Sequence, residues 1–167
     1  MLIAHHAGKR IGTTCVQFLF CLFSRLRKPQ PPARISITTD GNPQYLATLP
    51  TQCPESCIDY GQVIKHREGN RLVAVFREIV FGNPTIASIS TSRVEGYNNK
   101  IRQRVSRFVR KTASFSKAIV AHTRVMDLFQ FVSNFIEAKE GTTPAMREGI
   151  TDHAWTWPEF FTYHFQL

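Results

Sequence analysis

Residues 36–45 read Ser36-Ile37-Thr38-Thr39-Asp40-Gly41-Asn42-Pro43-Gln44-Tyr45. Polar and apolar side chains alternate toward Thr39, the period-two signature of a strand with one buried face. An acid, a glycine and an Asn-Pro pair then supply turn chemistry, so a strand is expected over 35–39 and a short helix over 44–49. Upstream, residues 11–26 read as a helix. Thr13 or Thr14 lies near its start, Arg25, Arg27 and Lys28 suit the negative end of its dipole, and Pro29, Pro31 and Pro32 stop it. Residues 2–6 are a short apolar piece ended by Gly8 and are expected to form a strand. Strand, helix and strand at this spacing predict a βαβ crossover unit.

The chain has 167 residues, 43% of them hydrophobic, which fits about one globular domain with a real core. Its net charge of +9 is unevenly spread. Between Arg93 and Arg124 stand nine Lys/Arg and one acid, Glu95, while the rest is close to neutral. A local basic block of this kind is the footprint of a phosphate-backbone binder; the alternative is a solvated helix face. Cys15, Cys21, Cys53 and Cys57 fit no common zinc or redox spacing and are read as ordinary thiols in a reducing, cytoplasmic setting. The apolar stretch 15–23 is interrupted by Gln17 and is far shorter than a membrane span, so it reads as a buried helix.

Downstream, 50–56 is a loop and 58–65 another strand. Residues 66–89 hold an apolar run at 72–76 and a Gly82-Asn83-Pro84 turn without sharp periodicity, and read as an insertion-like segment. From Ser92 the pattern is helical through Lys111, with Thr91 or Ser92 as cap and Glu95 at the capping-box spacing from Ser92. Ile101, Val105, Phe108 and Val109 recur as one apolar stripe. Glu95, Asn98, Asn99, Arg102 and Ser106 fall on one side of that helix. Arg104, Arg107, Arg110 and Lys111 lie away from it, suited to positioning DNA through phosphates. A second helix over 117–137 is expected to turn Val120, Val125, Leu128, Phe129, Val132 and Phe135 inward. The tail from Gly141 is aromatic, with Trp155 and Trp157 expected to cover the core. His5 and His6, with no carboxylate partner in view, read as packing or surface residues, and His122 as a satisfied interface residue.

A carboxylate ending a central strand and another on the first turns of a basic helix are what a divalent-metal site for phosphodiester chemistry requires. Mg²⁺ or Mn²⁺ is held by hard oxygen ligands, one or two carboxylates plus substrate phosphates, and two ions can activate a nucleophile and stabilise the leaving oxygen. Asp40 and Glu95 are the candidates. From spacing alone, Asp40-Gly41 also reads as a plain turn and Glu95 as a capping residue.

Three segments add a resemblance: 37–45 (ITTDGNPQY), 90–135 (from STSRVEGYNNKIRQRV to VSNF) and 142–157 (TTPAMREGITDHAWTW). Together they resemble insertion-sequence-one-type (IS-one) transposases, in which a catalytic Asp ends a strand as T-D-G…Y. The family's catalytic Glu sits in [ST]-x-x-[VI]-E-x-x-N-x-x-[IL]-R, followed by R-[KL]-T-x-x-F-S-K. Asp40, Tyr45, Glu95, Asn98, Arg102, Arg110, Lys111, Thr112, Phe115, Ser116 and Lys117 occupy such positions. The resemblance extends back through 5–10 (HHAGKR) and covers nearly the whole chain. After Asn134-Phe135, where the family has an Arg-x-His stretch, this chain has Glu137-Ala138-Lys139.

The resemblance implies an α/β fold, a partial ribonuclease-H-like domain with a mixed sheet, flanking helices and a helical C-terminal part. It implies an Asp-Asp-Glu metal triad that cuts and joins DNA, with Asp40 and Glu95 as catalytic and metal-holding residues. Asn98, Arg102, Arg104, Arg107, Arg110, Lys111 and Lys117 are the DNA-binding candidates. No Asp or Glu precedes residue 40, where the triad needs its first Asp. The expectation is therefore an N-terminally truncated transposase lacking its first strands, with 1–137 as the catalytic remnant and 138–167 as an aromatic tail. Mg²⁺ or Mn²⁺ would be held poorly and the chain would be inactive alone; DNA is the expected partner, no membrane is, and homo-oligomerisation is left open. The rival reading is a non-catalytic DNA-binding protein or regulator of the element's ends.

Overall fold

The computed structural model describes residues 1–27, 29–109, 113 and 118–163. The chain divides into two compact units, Gly8–Arg104 and a second made of Met1–Ala7 with Val105–Leu167.

In the first unit, helix α1 (Gly12–Ser24) buries Cys15, Leu19 and Phe23, which recur every four residues and so share one face. Strand β1 (Ile35–Asp40) follows, then helix α2 (Gln44–Gln52), which buries Thr48 and Leu49. α2 runs three residues past its expected end, through Pro50, because the Cys53 N–H reaches the Leu49 carbonyl at 3.2 Å and closes another turn. The chain then enters strand β2 (Ile58–Glu68), which runs parallel to β1 from Ile35 opposite Ile58 to Asp40 opposite Val63. A right-sized helical crossover between parallel neighbours is what such pairing requires. Cys15, Leu19 and Phe23 meet Leu49, Cys53, Cys57, Ile58 and Tyr60 in one core. All four cysteines are free thiols, three of them buried there.

Strand β3 (Arg71–Phe81) returns antiparallel to β2 around Gly69, whose φ of +59° is the left-handed conformation that a tight turn demands. The stretch 66–89 read as an insertion therefore holds the end of β2, the eleven-residue strand β3 and a 3-10 turn at Ile86–Ser88. The ladder steps from His66–Ala74 to Arg67–Leu72 and from Tyr60–Phe81 to Gly61–Ile79, so Val73 and Val80 are each an extra residue on β3. Two bulges break the alternation twice, which is why no period-two pattern was visible. The result is a mixed three-stranded sheet in the order β1-β2-β3 with flanking helices and a helical C-terminal part. That architecture is compatible with a partial ribonuclease-H-like fold.

Three expectations, one strand and two helices, need correction. Residues 2–6 form no strand: the Leu2 N–H donates to Asn134 Oδ1 (2.9 Å), and Asn134 Nδ2 and Gln130 Nε2 donate to the Leu2 and Ile3 carbonyls (2.7 and 2.9 Å). Side chains thus satisfy the backbone groups that a sheet would have taken, and the crossover unit is β1-α2-β2. The basic helix, α3, spans only Ser92–Arg104. Val105 is extended (φ −116°, ψ 99°) and Ser106–Phe108 is a single 3-10 turn, so Ile101, Val105, Phe108 and Val109 share no helix face. In the second unit, α4 is Ile119–Phe131, followed by a π turn at Val132–Ile136. It buries Met126 and Phe129, while Val120 and Leu128 of the expected inward set are 58% and 44% exposed.

The tail supplies α5 (Pro144–Arg147) and α6 (Trp157–Thr162). Phe131, Phe135, Trp155 and Phe160 form a ring cluster with centroids 4.4–5.7 Å apart. Trp155 is half-buried in it, as expected, but Trp157 is largely exposed. His5 does have a carboxylate partner, Asp127, at 3.0 Å, and His122 packs on Phe108 with ring centroids 4.3 Å apart.

Two predictions follow from packing and charge. A Cβ on Gly61 would stand 2.4 and 2.6 Å from the Cδ1 and Cγ1 of the fully buried Ile89. Gly61→Ala should lower stability by about 1–3 kcal/mol in denaturant unfolding, and adding Ile89→Ala should recover part of the loss. In the second unit His153 bridges two carboxylates, Nδ1 to Asp152 and Nε2 to Glu159, both at 2.6 Å. Glu159 Oε2 also accepts the Thr156 N–H that caps α6. The hydrogen bonds that His153 donates to Asp152 and Glu159 hold its pKa above the ordinary value, and the same bonds hold both acids below theirs. The histidine's contribution is full below its ordinary pKa and is lost as pH rises through the raised one. The acids' contribution is present above their ordinary values and is lost as pH falls through the depressed ones. Tryptophan emission should therefore change at both edges of that window, and His153→Gln should remove the alkaline change.

Candidate functional site

Asp40 is the last residue of β1. Its position is set from below by a directed chain of hydrogen bonds. Gln62 Nε2 donates to the Tyr60 hydroxyl (2.7 Å), which is 2.8 Å from Thr39 Oγ1, and Thr39 Oγ1 donates to the Asp40 carbonyl (2.9 Å). Tyr60 and Gln62 are buried, and burial pushes the Tyr60 pKa up, so the phenol stays protonated and able to donate. Beyond the strand, Asp40 Oδ1 accepts the Asn42 N–H at 3.3 Å, the local loop closure that favours aspartate at a turn. Its Oδ2 lies 3.9 Å from Arg10 Nη2, with both side chains mostly exposed, a pair worth little in water. Asp40 is thus both a turn residue and a solvent-facing carboxylate at a strand end.

Glu95 stands in the first turn of α3. Its Oε1 accepts the Thr91 hydroxyl at 2.7 Å and is bonded by the Lys65 ammonium. Those two hydrogen bonds, Lys65 first, hold its pKa below the usual carboxylate value, and the charges of Lys65 and Arg67 act in the same direction. Lys65 and Arg67 alternate with His66 along β2, so both project from one face of the strand. Ladder partners share a face, and Asp40 is opposite Val63, two residues before Lys65. Asp40, Val63, Lys65 and Arg67 therefore belong to the same sheet face, and Lys65 ties Glu95 to that face. Ile89, packed against Gly61 on it, leads the chain into α3.

The fold brings Asp40 and Glu95 to one face of the sheet without making them a ligand cluster. Their oxygens are right in kind for Mg²⁺ or Mn²⁺. Yet Glu95 is engaged by an ammonium, and among the described residues no three His, Cys, Asp or Glu are grouped so as to hold a metal ion. The described residues do not by themselves fit a divalent-metal site.

Of the basic candidates, Asn98 and Arg102 lie exposed on α3, on the side that carries Glu95, with Arg102 Nη1 3.3 Å from Asn99 Oδ1. Arg104 ends the helix, and Arg107 sits in the separate 3-10 turn of the other unit. The four-residue basic face expected on one helix is thus split. Arg110, Lys111 and Lys117 lie outside the described residues. Lys65 and Arg67 were missed by sequence reasoning: they stand 30 and 28 residues before Glu95 in the chain, and only the β2 register points them at it. α3 has no fully buried residue, and Lys100, its pKa lowered by burial and by Arg104, covers the Tyr97 ring at 5.8 Å. Among the described residues, no helix is long and apolar enough to cross a membrane.

Residues 75–136 match the family model described as IS1 transposase. No curated protein and no solved structure matches the chain. The matched stretch runs from β3 through α3 and α4 to the π turn, and so contains Glu95 and its basic helix. Over these residues the chain matches the IS1 transposase family, and that match supports an IS1-type transposase.

Proposed function

We propose that the protein acts on DNA in transposition, holding the duplex by its phosphates along α3 and presenting Asp40 and Glu95 at the sheet end as two carboxylates of a three-carboxylate centre. The observation that carries this reading is the family match across the segment that places Glu95 on an exposed basic helix. In this role Asn98, Arg102 and Arg104, with Arg107, Arg110, Lys111 and Lys117 from the following segment, neutralise backbone phosphates without reading bases. Mg²⁺ or Mn²⁺ is the proposed cofactor, weakly retained with two carboxylates and a lysine on one of them. Strand cleavage and transfer by this chain alone are therefore expected to be absent.

A second reading is favoured by the Lys65–Glu95 pair itself: a carboxylate neutralised by an ammonium suits a non-catalytic protein that occupies the element's ends. Both readings predict tight, salt-sensitive binding to duplex DNA, and they part on cleavage. Incubated with supercoiled DNA and either Mg²⁺ or Mn²⁺, the purified chain should produce no nicks. Robust nicking that disappears in Asp40→Ala would restore the enzyme. In titrations across salt, log K should fall linearly with log salt by about 0.9 per phosphate contact, and Arg102→Ala should weaken binding to all sequences alike. No duplex binding at any salt would overturn both readings.

A further inference from the structure

Two cations on β2, Lys65 and Arg67, share a strand face: Lys65 is bonded to Glu95, while Arg67, whose Nη1 donates to the Asn70 carbonyl at 3.5 Å, acts on the same carboxylate only weakly and through its charge. One carboxylate cannot neutralise both, so the cluster carries a surplus of one positive charge. The arrangement is built rather than incidental. Lys65 is held on a strand that is paired on its other edge to Val75, and Glu95 is held by the Thr91 hydroxyl at 2.7 Å in the first turn of its helix. The Lys65 and Glu95 side chains are 33% and 49% exposed, so an incoming anion can reach the pair from solvent. A backbone phosphate offers Lys65 what Glu95 offers it, a charged oxygen acceptor, and offers Arg67 a planar two-oxygen edge suited to a guanidinium fork.

We propose that Lys65 and Arg67 form a phosphodiester subsite on β2 in which Glu95 is the resident stand-in for a DNA phosphate. When the backbone arrives, the Lys65 ammonium exchanges Glu95 for a phosphate oxygen, and Glu95 is released to the sheet face that it shares with Asp40. Lys65 is then a positioning residue: it keeps the carboxylate engaged in the free protein and frees it only when DNA is present. The inference rests on the DNA-handling function proposed above and adds to it a site outside the basic helix.

The test is a double-mutant cycle in duplex binding, measured by fluorescence anisotropy across a range of salt with the full chain. Lys65→Gln should weaken binding and lower the salt slope by about 0.9, the loss of one phosphate contact, while Lys65→Arg should restore both. Glu95→Gln should tighten binding in the wild-type background, because Lys65 no longer has to leave a partner. In the Lys65→Gln background the same change should have little effect, since no exchange remains. Inorganic phosphate should compete weakly and equally with wild type and Lys65→Arg if the subsite takes phosphate in general. Failure of inorganic phosphate to discriminate wild type from Lys65→Gln, together with an unchanged salt slope in Lys65→Gln, would overturn the subsite. So would a Glu95→Gln effect of equal size in both backgrounds, which would mark a diffuse charge effect. These outcomes presuppose wild-type binding; a wild-type chain that binds no duplex would overturn the DNA-handling function and the subsite with it, and that result is read from the first titration.

Discussion

The parallel pairing of β1 with β2 is the constraint on which the rest depends. Its register, Ile35 opposite Ile58 through Asp40 opposite Val63, decides which face of the sheet each side chain takes. A slip of one residue would send Asp40 to the face of Tyr60 and Gln62, among the core residues of α1 and α2. The register is held where slippage would cost most. Ile58 and Tyr60 are fully buried, and the Tyr60 hydroxyl is tied across the ladder to Thr39. Asp59 adds a second lock at the start of β2, accepting from Arg34 Nε at 2.8 Å and from the Asn83 N–H at 2.9 Å. Those bonds depress its pKa, so the lock stays charged through ordinary pH.

The sheet divides its labour by face. One face is apolar and receives α1 and α2. The other carries Gly61, Val63, Lys65 and Arg67 and changes along its length from a close-packed floor under Ile89 to a charged, open end. Gly61 is what allows Ile89 to sit so close, and Ile89 in turn fixes where the chain rises into α3. A packing requirement at the middle of β2 thereby determines where Glu95 stands at its end. The position of Glu95 at the sheet end is thus inherited from sterics at Gly61, four residues before Lys65.

How much of this was legible in the sequence varies by element, for physical reasons. β1, α1, α2 and the start of α3 were readable because each combines a clear period with local punctuation: Asp40-Gly41 after β1, prolines after α1, Thr91-Ser92 before α3. β3 was not, because its bulges at Val73 and Val80 scramble the alternation and its apolar side chains fall on both faces. The end of α3 was misjudged because Ile101, Val105, Phe108 and Val109 keep helical spacing through a stretch whose backbone turns extended at Val105. Residues 2–6 were misjudged for the opposite reason: the apolar composition was right, but Asn134 and Gln130 satisfy their backbone in place of a neighbouring strand. At the candidate site, Asp40 and Glu95 were visible as carboxylates in a motif, whereas Lys65 could be found only through the register.

α3 itself shows why the Lys65–Glu95 contact matters more than an ordinary surface pair. A helix of 13 residues with no fully buried side chain is marginal on propensity alone, and α3 also holds Gly96 in its interior. Its tie to the sheet is the bond from Lys65 to Glu95, with the buried Ile89 just before it in the chain. Glu95 near the helix N-terminus also answers the positive end of the dipole, and Arg102 and Arg104 answer the negative end. The charges that stabilise the helix are therefore the charges that a polyanion would engage. Packing leaves this helix open to solvent, and electrostatics holds it, so a bound phosphate backbone would replace interactions of the same kind without taking apart a hydrophobic core.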